Sequence, residues 1–73
     1  MAEFPDELKK LADIATDLDF SAKLRIDAID QLGTIGTHEA LLTLLNLAAN
    51  DKLSAKERDI ALKQARRIVR ASH

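Results

Sequence analysis

Laid over itself at an offset of 33 residues, the chain matches, with residues 5–32 falling on 38–65. Leu8 meets Leu41, Leu11 meets Leu44, Ala15 meets Ala48, and Ser21-Ala22-Lys23 meets Ser54-Ala55-Lys56. Arg25 meets Arg58, Ala28 meets Ala61 and Gln31 meets Gln64, giving nine identities in 28 pairs. Two unrelated Leu- and Ala-rich helices would seldom keep a capping segment and an off-pattern arginine in register. Each copy carries apolar residues at helical spacing on both sides of a short polar break, which is the pattern of a helical hairpin. The chain therefore predicts an all-α fold of two stacked antiparallel helical hairpins. Repeat 1 covers about 5–32, a glycine corner 33–37, and repeat 2 about 38–71, within a single domain spanning 1–73.

Both glycines lie in that corner, Leu32-Gly33-Thr34-Ile35-Gly36-Thr37. Gly33 is expected to end the second helix in the left-handed conformation. Gly36 takes a second tight bend, and Thr37 caps the next helix through its hydroxyl. A phosphate-binding loop would need more glycines at fixed offsets, a preceding strand and usually a lysine, none of which is present. The four helices fall near 5–16, 21–32, 38–49 and 54–71. Phe4-Pro5-Asp6-Glu7 opens the first, Pro5 being tolerated early and the carboxylates favouring the positive end. Leu11, Leu41, Leu44, Leu45, Ala61 and Ile68 are expected to be buried.

Composition restricts the chemistry. With 73 residues, area scaling lets the fold bury roughly 60% of the extended chain's surface, enough for one modest core. Phe4 and Phe20 are the only aromatics, so stacking platforms for bases or sugars are absent. No cysteine is present, which removes disulfides, thiolate catalysis and the zinc-finger spacings. No apolar run approaches the roughly 18 residues of a membrane span. The start, Met-Ala-Glu-Phe-Pro-Asp, is acidic where a signal peptide is basic. A soluble, cytoplasmic protein is expected.

Several local signals stand out. Arg25 falls in the middle of an apolar stripe with Leu24, Ala28, Ile29 and Leu32, so its guanidinium must reach water, a carboxylate or an exposed carbonyl. A structural tie to a neighbouring loop or acidic side chain is expected, and the same for Arg58. Ser54-Ala55-Lys56-Glu57 reads as a capping box, with Ser54 and Glu57 as its reciprocal partners. In the third helix, Leu41, Leu42, Leu44, Leu45, Leu47, Ala48 and Ala49 cover more of the circumference than one neighbour can hide. That helix is thus either central or leaves part of its face, including Leu42 and Leu47, for another molecule. The last helix carries a basic ridge of Lys56, Lys63, Arg67 and Arg70, with Arg66 alongside.

Arg25-x-x-Ala28-Ile29-x-x-Leu32-Gly33-x-Ile35-Gly36 resembles the inner-helix signature of HEAT-like repeats, especially the short bacterial and archaeal kind seen in phycobilin lyase relatives. Arg58-x-x-Ala61-Leu62-x-x-Ala65 is a weaker second copy. The resemblance covers about residues 5–70 and implies a minimal HEAT-like α-solenoid in which the arginine ties one repeat to the next. Arg66 stands where the first copy has Gly33, and the last helix is expected to run on for that reason. One enzymatic branch, similar to deoxyhypusine hydroxylase, holds two irons with several His-Glu pairs. Here His38-Glu39 is the one internal pair, with a terminal His73, well short of the ligands such a centre requires. No catalytic, cofactor or metal residue is assigned.

Charge is segregated: residues 1–50 carry nine acids and four bases, residues 51–73 three acids and seven bases. Such a dipolar layout steers an oppositely patterned partner or another copy of the chain. The leading expectation is a protein-protein interaction or assembly module without catalysis, acting with an unidentified protein or by self-association, a homodimer included. The partner face is assigned to Leu42, Leu47, Lys56, Lys63, Arg66, Arg67 and Arg70. The alternatives are a nucleic-acid-associated accessory protein using the basic face of the last helix, and a fragment-like relative of HEAT-repeat enzymes acting only with a partner. Net acidity, missing aromatics and few cations weigh against nucleic acid. The last helix lacks the large apolar anchors of a membrane-surface helix.

Overall fold

The computed structural model describes the backbone of residues 3–71 and the side chains of 7–71. It contains four helices: α1 (Glu3–Thr16), α2 (Ala22–Ile35), α3 (His38–Ala48) and α4 (Ala55–Ala71). The side chains of Phe4, Pro5 and Asp6, expected to shape the first turn, lie outside the described residues, as do Ser72 and His73.

Both helical hairpins turn by the same device. In the first, the Asp17 carboxylate accepts from the Asp19 N–H at 2.9 Å and the Asp17 carbonyl from the Phe20 N–H at 3.1 Å. In the second, Asn50 does the same for Lys52 at 3.0 Å and Leu53 at 3.1 Å. Side chains of this kind fold back on the chain two residues on and stop a helix from continuing. A serine then restarts it. Ser21 Oγ accepts from the Leu24 N–H at 3.3 Å, and Ser54 Oγ from the Glu57 N–H at 3.2 Å. The 33-residue sequence match is therefore also a match of hydrogen bonds.

The link between the hairpins differs from the expected corner. Gly33 does not end α2: the helix runs through it to Ile35, and Gly36 alone is left-handed, at φ 69°. The Gly36 N–H donates to the Leu32 carbonyl at 3.3 Å, and Thr37 then caps α3 by accepting from the Ala40 N–H at 3.1 Å. Gly33 is needed for another reason. A Cβ there would lie 3.0 Å from Gln64 Cβ and closer still to the Gln64 amide, so the missing side chain lets α2 and α4 approach. It follows that Arg66 in place of Gly33 is not what lets α4 run on. The matching residue to the true cap, Gly36, is Val69, which does not favour the left-handed region.

The result is a compact all-α four-helix bundle in which α1 with α2 and α3 with α4 form the tighter pairs. The middle pair, α2 and α3, each touches all three other helices, while among the described residues the backbones of α1 and α4 do not approach each other. Ala15, Ile29, Leu32, Ala40, Leu44 and Ala61 are fully enclosed, joined by Leu8, Ala28, Leu47, Leu53, Ala65 and Ile68. Of the side chains expected inside, Leu44, Ala61 and Ile68 are buried, and Leu11 and Leu41 pack half-buried against the core. Leu45 is instead 42% exposed and Leu47 only 3% exposed. The buried stripe of α3 is Ala40, Leu44 and Leu47, at the i, i+4, i+7 spacing of one helix face. This centring turns Leu42 and Leu45 outward and removes Leu47 from any partner surface.

Candidate docking site

The best-built polar feature of the molecule joins the two hairpins. Arg25, in the first turn of α2, donates through Nη1 to the Phe20 carbonyl at 2.6 Å and through Nη2 to Glu57 Oε2 at 2.8 Å. Glu57 uses its other oxygen at the same time, accepting the Ser54 N–H at 3.2 Å to close the capping box of α4. One carboxylate thus starts a helix and fastens it to the neighbouring hairpin. The side chains are 12% and 3% exposed, so this pair is shielded from the solvent that weakens surface ion pairs. Burial alone would push the Glu57 carboxyl up. The hydrogen bond from Arg25, the Ser54 N–H, the guanidinium charge and the Ser54 side chain outweigh it and hold the group below its ordinary value near 4.5.

Arg58 holds the equivalent place in α4, and its environment differs. Its Nε is buried without an acceptor, as is that of Arg25, but among the described residues no carboxylate lies within ion-pair distance of Arg58. Both arginines start stripes of matching positions. On α2 the stripe is Arg25, Ile29, Leu32 and Gly33, with Ile29 and Leu32 fully buried and Arg25 and Gly33 set against Glu57 and Gln64 of α4. On α4 the matching positions are Arg58, Leu62, Ala65 and Arg66, of which Ala65 is buried in the core, Arg58 and Leu62 are half-buried and Arg66 is exposed.

Leu62, Ala65 and Val69 of α4 line a groove of about 270 Å³ with Leu41 and Leu45 from α3, rimmed by Arg66 and Arg70. Leu45 and Val69 are both about half-exposed within it. The groove is apolar along its floor and cationic at its edge. A smaller hollow of about 190 Å³ lies between Glu7, Leu8, Ile35, Thr37 and Glu39.

The residues assigned to a partner face separate in space. Arg66 and Arg70 border the groove, and Leu42 is exposed one turn away on α3. Lys56, Lys63 and Arg67 are exposed along another face of α4. There Lys63 pairs with Asp59 at 3.4 Å, and Arg67 donates to Gln64 at 3.4 Å. Gln64 in turn donates to Asp30 of α2 at 3.1 Å. Leu41, Leu45, Leu62 and Val69 were not assigned to the face.

His38 and Glu39 are both exposed, and no group of three or more metal-ligating side chains is gathered among the described residues. Nor is any described helix long and apolar enough to cross a membrane. Compared with protein-family models, curated proteins and solved structures, the chain shows no match.

Proposed function

We propose that the protein is a non-catalytic docking or assembly module that binds another protein through the α3–α4 groove. The observation that carries this reading is the groove itself: Leu45 and Val69, about half-exposed on adjacent helices, with the half-buried Leu41 and Leu62 beside them, bordered by two arginines. An apolar centre with an arginine-rich border matches the anatomy of protein interfaces, where buried aliphatic area supplies affinity and the charged rim sets register and on-rate. In the same reading the molecule is a two-unit HEAT-like stack. The repeated Asx turn, the repeated serine cap and the Arg25–Glu57 tie between hairpins support it.

Affinity capture from native lysate with the wild-type chain and with Leu45→Asp/Val69→Asp tests the reading. Both positions are exposed enough that the variant keeps its helical circular dichroism. A specific protein held by the wild type and lost by the variant is expected. Retention of the same proteins by both forms would overturn it, as would tight, salt-sensitive binding of mixed-sequence DNA lost on changing Lys63, Arg67 and Arg70 to Glu.

A further inference from the structure

Resting on the groove reading above, we infer that the occupant is a second copy of this chain, which seats its α1–α2 turn in the α3–α4 groove. Among the described residues, the large apolar side chains left exposed fall into two groups. Leu42, Leu45 and Val69 belong to α3 and α4, while Leu18, Phe20 and Leu24 belong to the α1–α2 turn and the first turn of α2. The two groups differ in the charge around them. The groove is bordered by Arg66 and Arg70, and no carboxylate lines it. The turn is flanked by the exposed carboxylates of Asp17, Asp19 and Asp27 against one exposed cation, Lys23, since Arg25 is committed to Glu57. Neither those three carboxylates nor Arg66 and Arg70 are in an ion pair among the described residues. Each patch has an apolar centre of its own and the charge that complements the other.

The turn is also set in advance. Asp17 accepts the Asp19 N–H at 2.9 Å through its carboxylate and the Phe20 N–H at 3.1 Å through its carbonyl, and Arg25 donates to the Phe20 carbonyl at 2.6 Å. Leu18 and Phe20 are thus carried on a fixed backbone, and little chain entropy is lost when they dock. One copy cannot fill its own groove. Helices α2 and α4 run parallel, with Glu57 beside Arg25 and Gln64 beside Gly33. Val69, twelve residues beyond Glu57, therefore lies about 18 Å further along the bundle, away from the turn. With the two patches toward opposite ends, the contact is heterologous: the turn of one copy enters the groove of the next, leaving a free groove at one end and a free turn at the other. The acidic excess of residues 1–50 and the basic excess of residues 51–73 orient the approach in that sense.

Two variants separate the halves of the contact. Leu45→Asp/Val69→Asp keeps the turn and loses the groove, and Leu18→Lys/Leu24→Lys keeps the groove and loses the turn. All four positions are exposed, and circular dichroism checks that each variant is helical. In sedimentation equilibrium up to about 1 mM protein, the wild type is expected to exceed the monomer mass as concentration rises, and each variant alone to stay monomeric. An equimolar mixture of the two is expected to form a one-to-one dimer and grow no further, because one turn and one groove remain between them. Arg66→Glu/Arg70→Glu, at the exposed rim, is expected to weaken association about tenfold or more, and replaces the groove variant in the mixture if that variant loses its helices. A wild type that remains monomeric, a variant that associates alone as the wild type does, or a mixture that stays monomeric would each overturn the inference. A monomeric wild type whose captured lysate protein is still lost in Leu45→Asp/Val69→Asp leaves the groove reading standing and defeats only the assignment of its occupant.

Discussion

Replacing Glu57 by alanine strikes a helix start and an ion pair together. The capping-box bond to the Ser54 N–H goes, which by analogy with cap deletions costs about 1 kcal/mol. The Arg25 guanidinium is left shielded without its anion, and an unsatisfied buried charged group adds about 1–3 kcal/mol. The full penalty for breaking a wholly buried pair, about 3–5 kcal/mol, is not reached. The Phe20 carbonyl still accepts from Arg25 at 2.6 Å, and the arginine side chain keeps 12% of its exposure as a route to water. The expected total is therefore about 2–4 kcal/mol, against a stability of about 4–11 kcal/mol for a chain of this length. Arg25→Ala leaves the capping box intact and is expected to cost about 1–3 kcal/mol. Urea unfolding followed at 222 nm measures each, and the double variant closes the cycle. A coupling of about 1–3 kcal/mol is expected, because the two side chains touch. If the single losses simply add, within about 0.3 kcal/mol, the two hairpins are not fastened by this pair and the reasoning fails.

Because the folded-state pKa of Glu57 is depressed, its stabilisation is fully present above the ordinary carboxylate value near 4.5 and is lost as pH falls through the folded value; Glu57→Gln is expected to flatten the acid limb of a stability-against-pH curve, and an unchanged slope would contradict this. Ser54→Ala is expected to cost about 1 kcal/mol by urea unfolding, and more than Ser21→Ala, whose helix start lacks the reciprocal glutamate. Gly36→Ala forces a side chain into φ 69° and is expected to destabilise by about 1–2 kcal/mol, with no gain elsewhere. Gly33→Ala is expected to trade the better helix propensity of alanine, about 1 kcal/mol, for the loss of the Gln64–Asp30 bond and of close packing, and so to be more destabilising with Gln64 present than in a Gln64→Ala background, where the tight contact with the residue 64 Cβ alone remains; a larger cost in the Gln64→Ala background would refute the displacement of the Gln64 amide.

The helix count, the caps and the pairing of neighbours were legible because they depend on local chemistry: serine, threonine and glycine at element ends, and leucine at helical spacing between them. Two other features depend on how helices sit against one another. The arc of α3 is apolar over so much of its circumference that the sequence does not fix which leucines face inward, and the core selects Leu44 and Leu47 over Leu45. Gly33 and Gly36 are interchangeable as helix terminators in a sequence pattern, and only the proximity of Gln64 separates a glycine needed for space from one needed for its φ. Arg25 signalled its need for an acceptor, and Glu57 its place in a cap. That one carboxylate serves both follows from the crossing of α2 and α4, which brings together residues 32 apart. The groove was hidden for a similar reason, since an apolar stripe shows what has to be covered and not what covers it.

Site-specific photo-crosslinking tests most directly whether the α3–α4 groove is where this protein meets its partner. A photoreactive phenylalanine placed at Leu45, in the groove, and in a separate protein at Lys9 of α1, on an exposed face away from it, is activated in native lysate. Discrete adducts from position 45, absent from position 9 and abolished by Val69→Asp, are the predicted result. Adducts of equal yield from both positions, or none from position 45, would contradict the account.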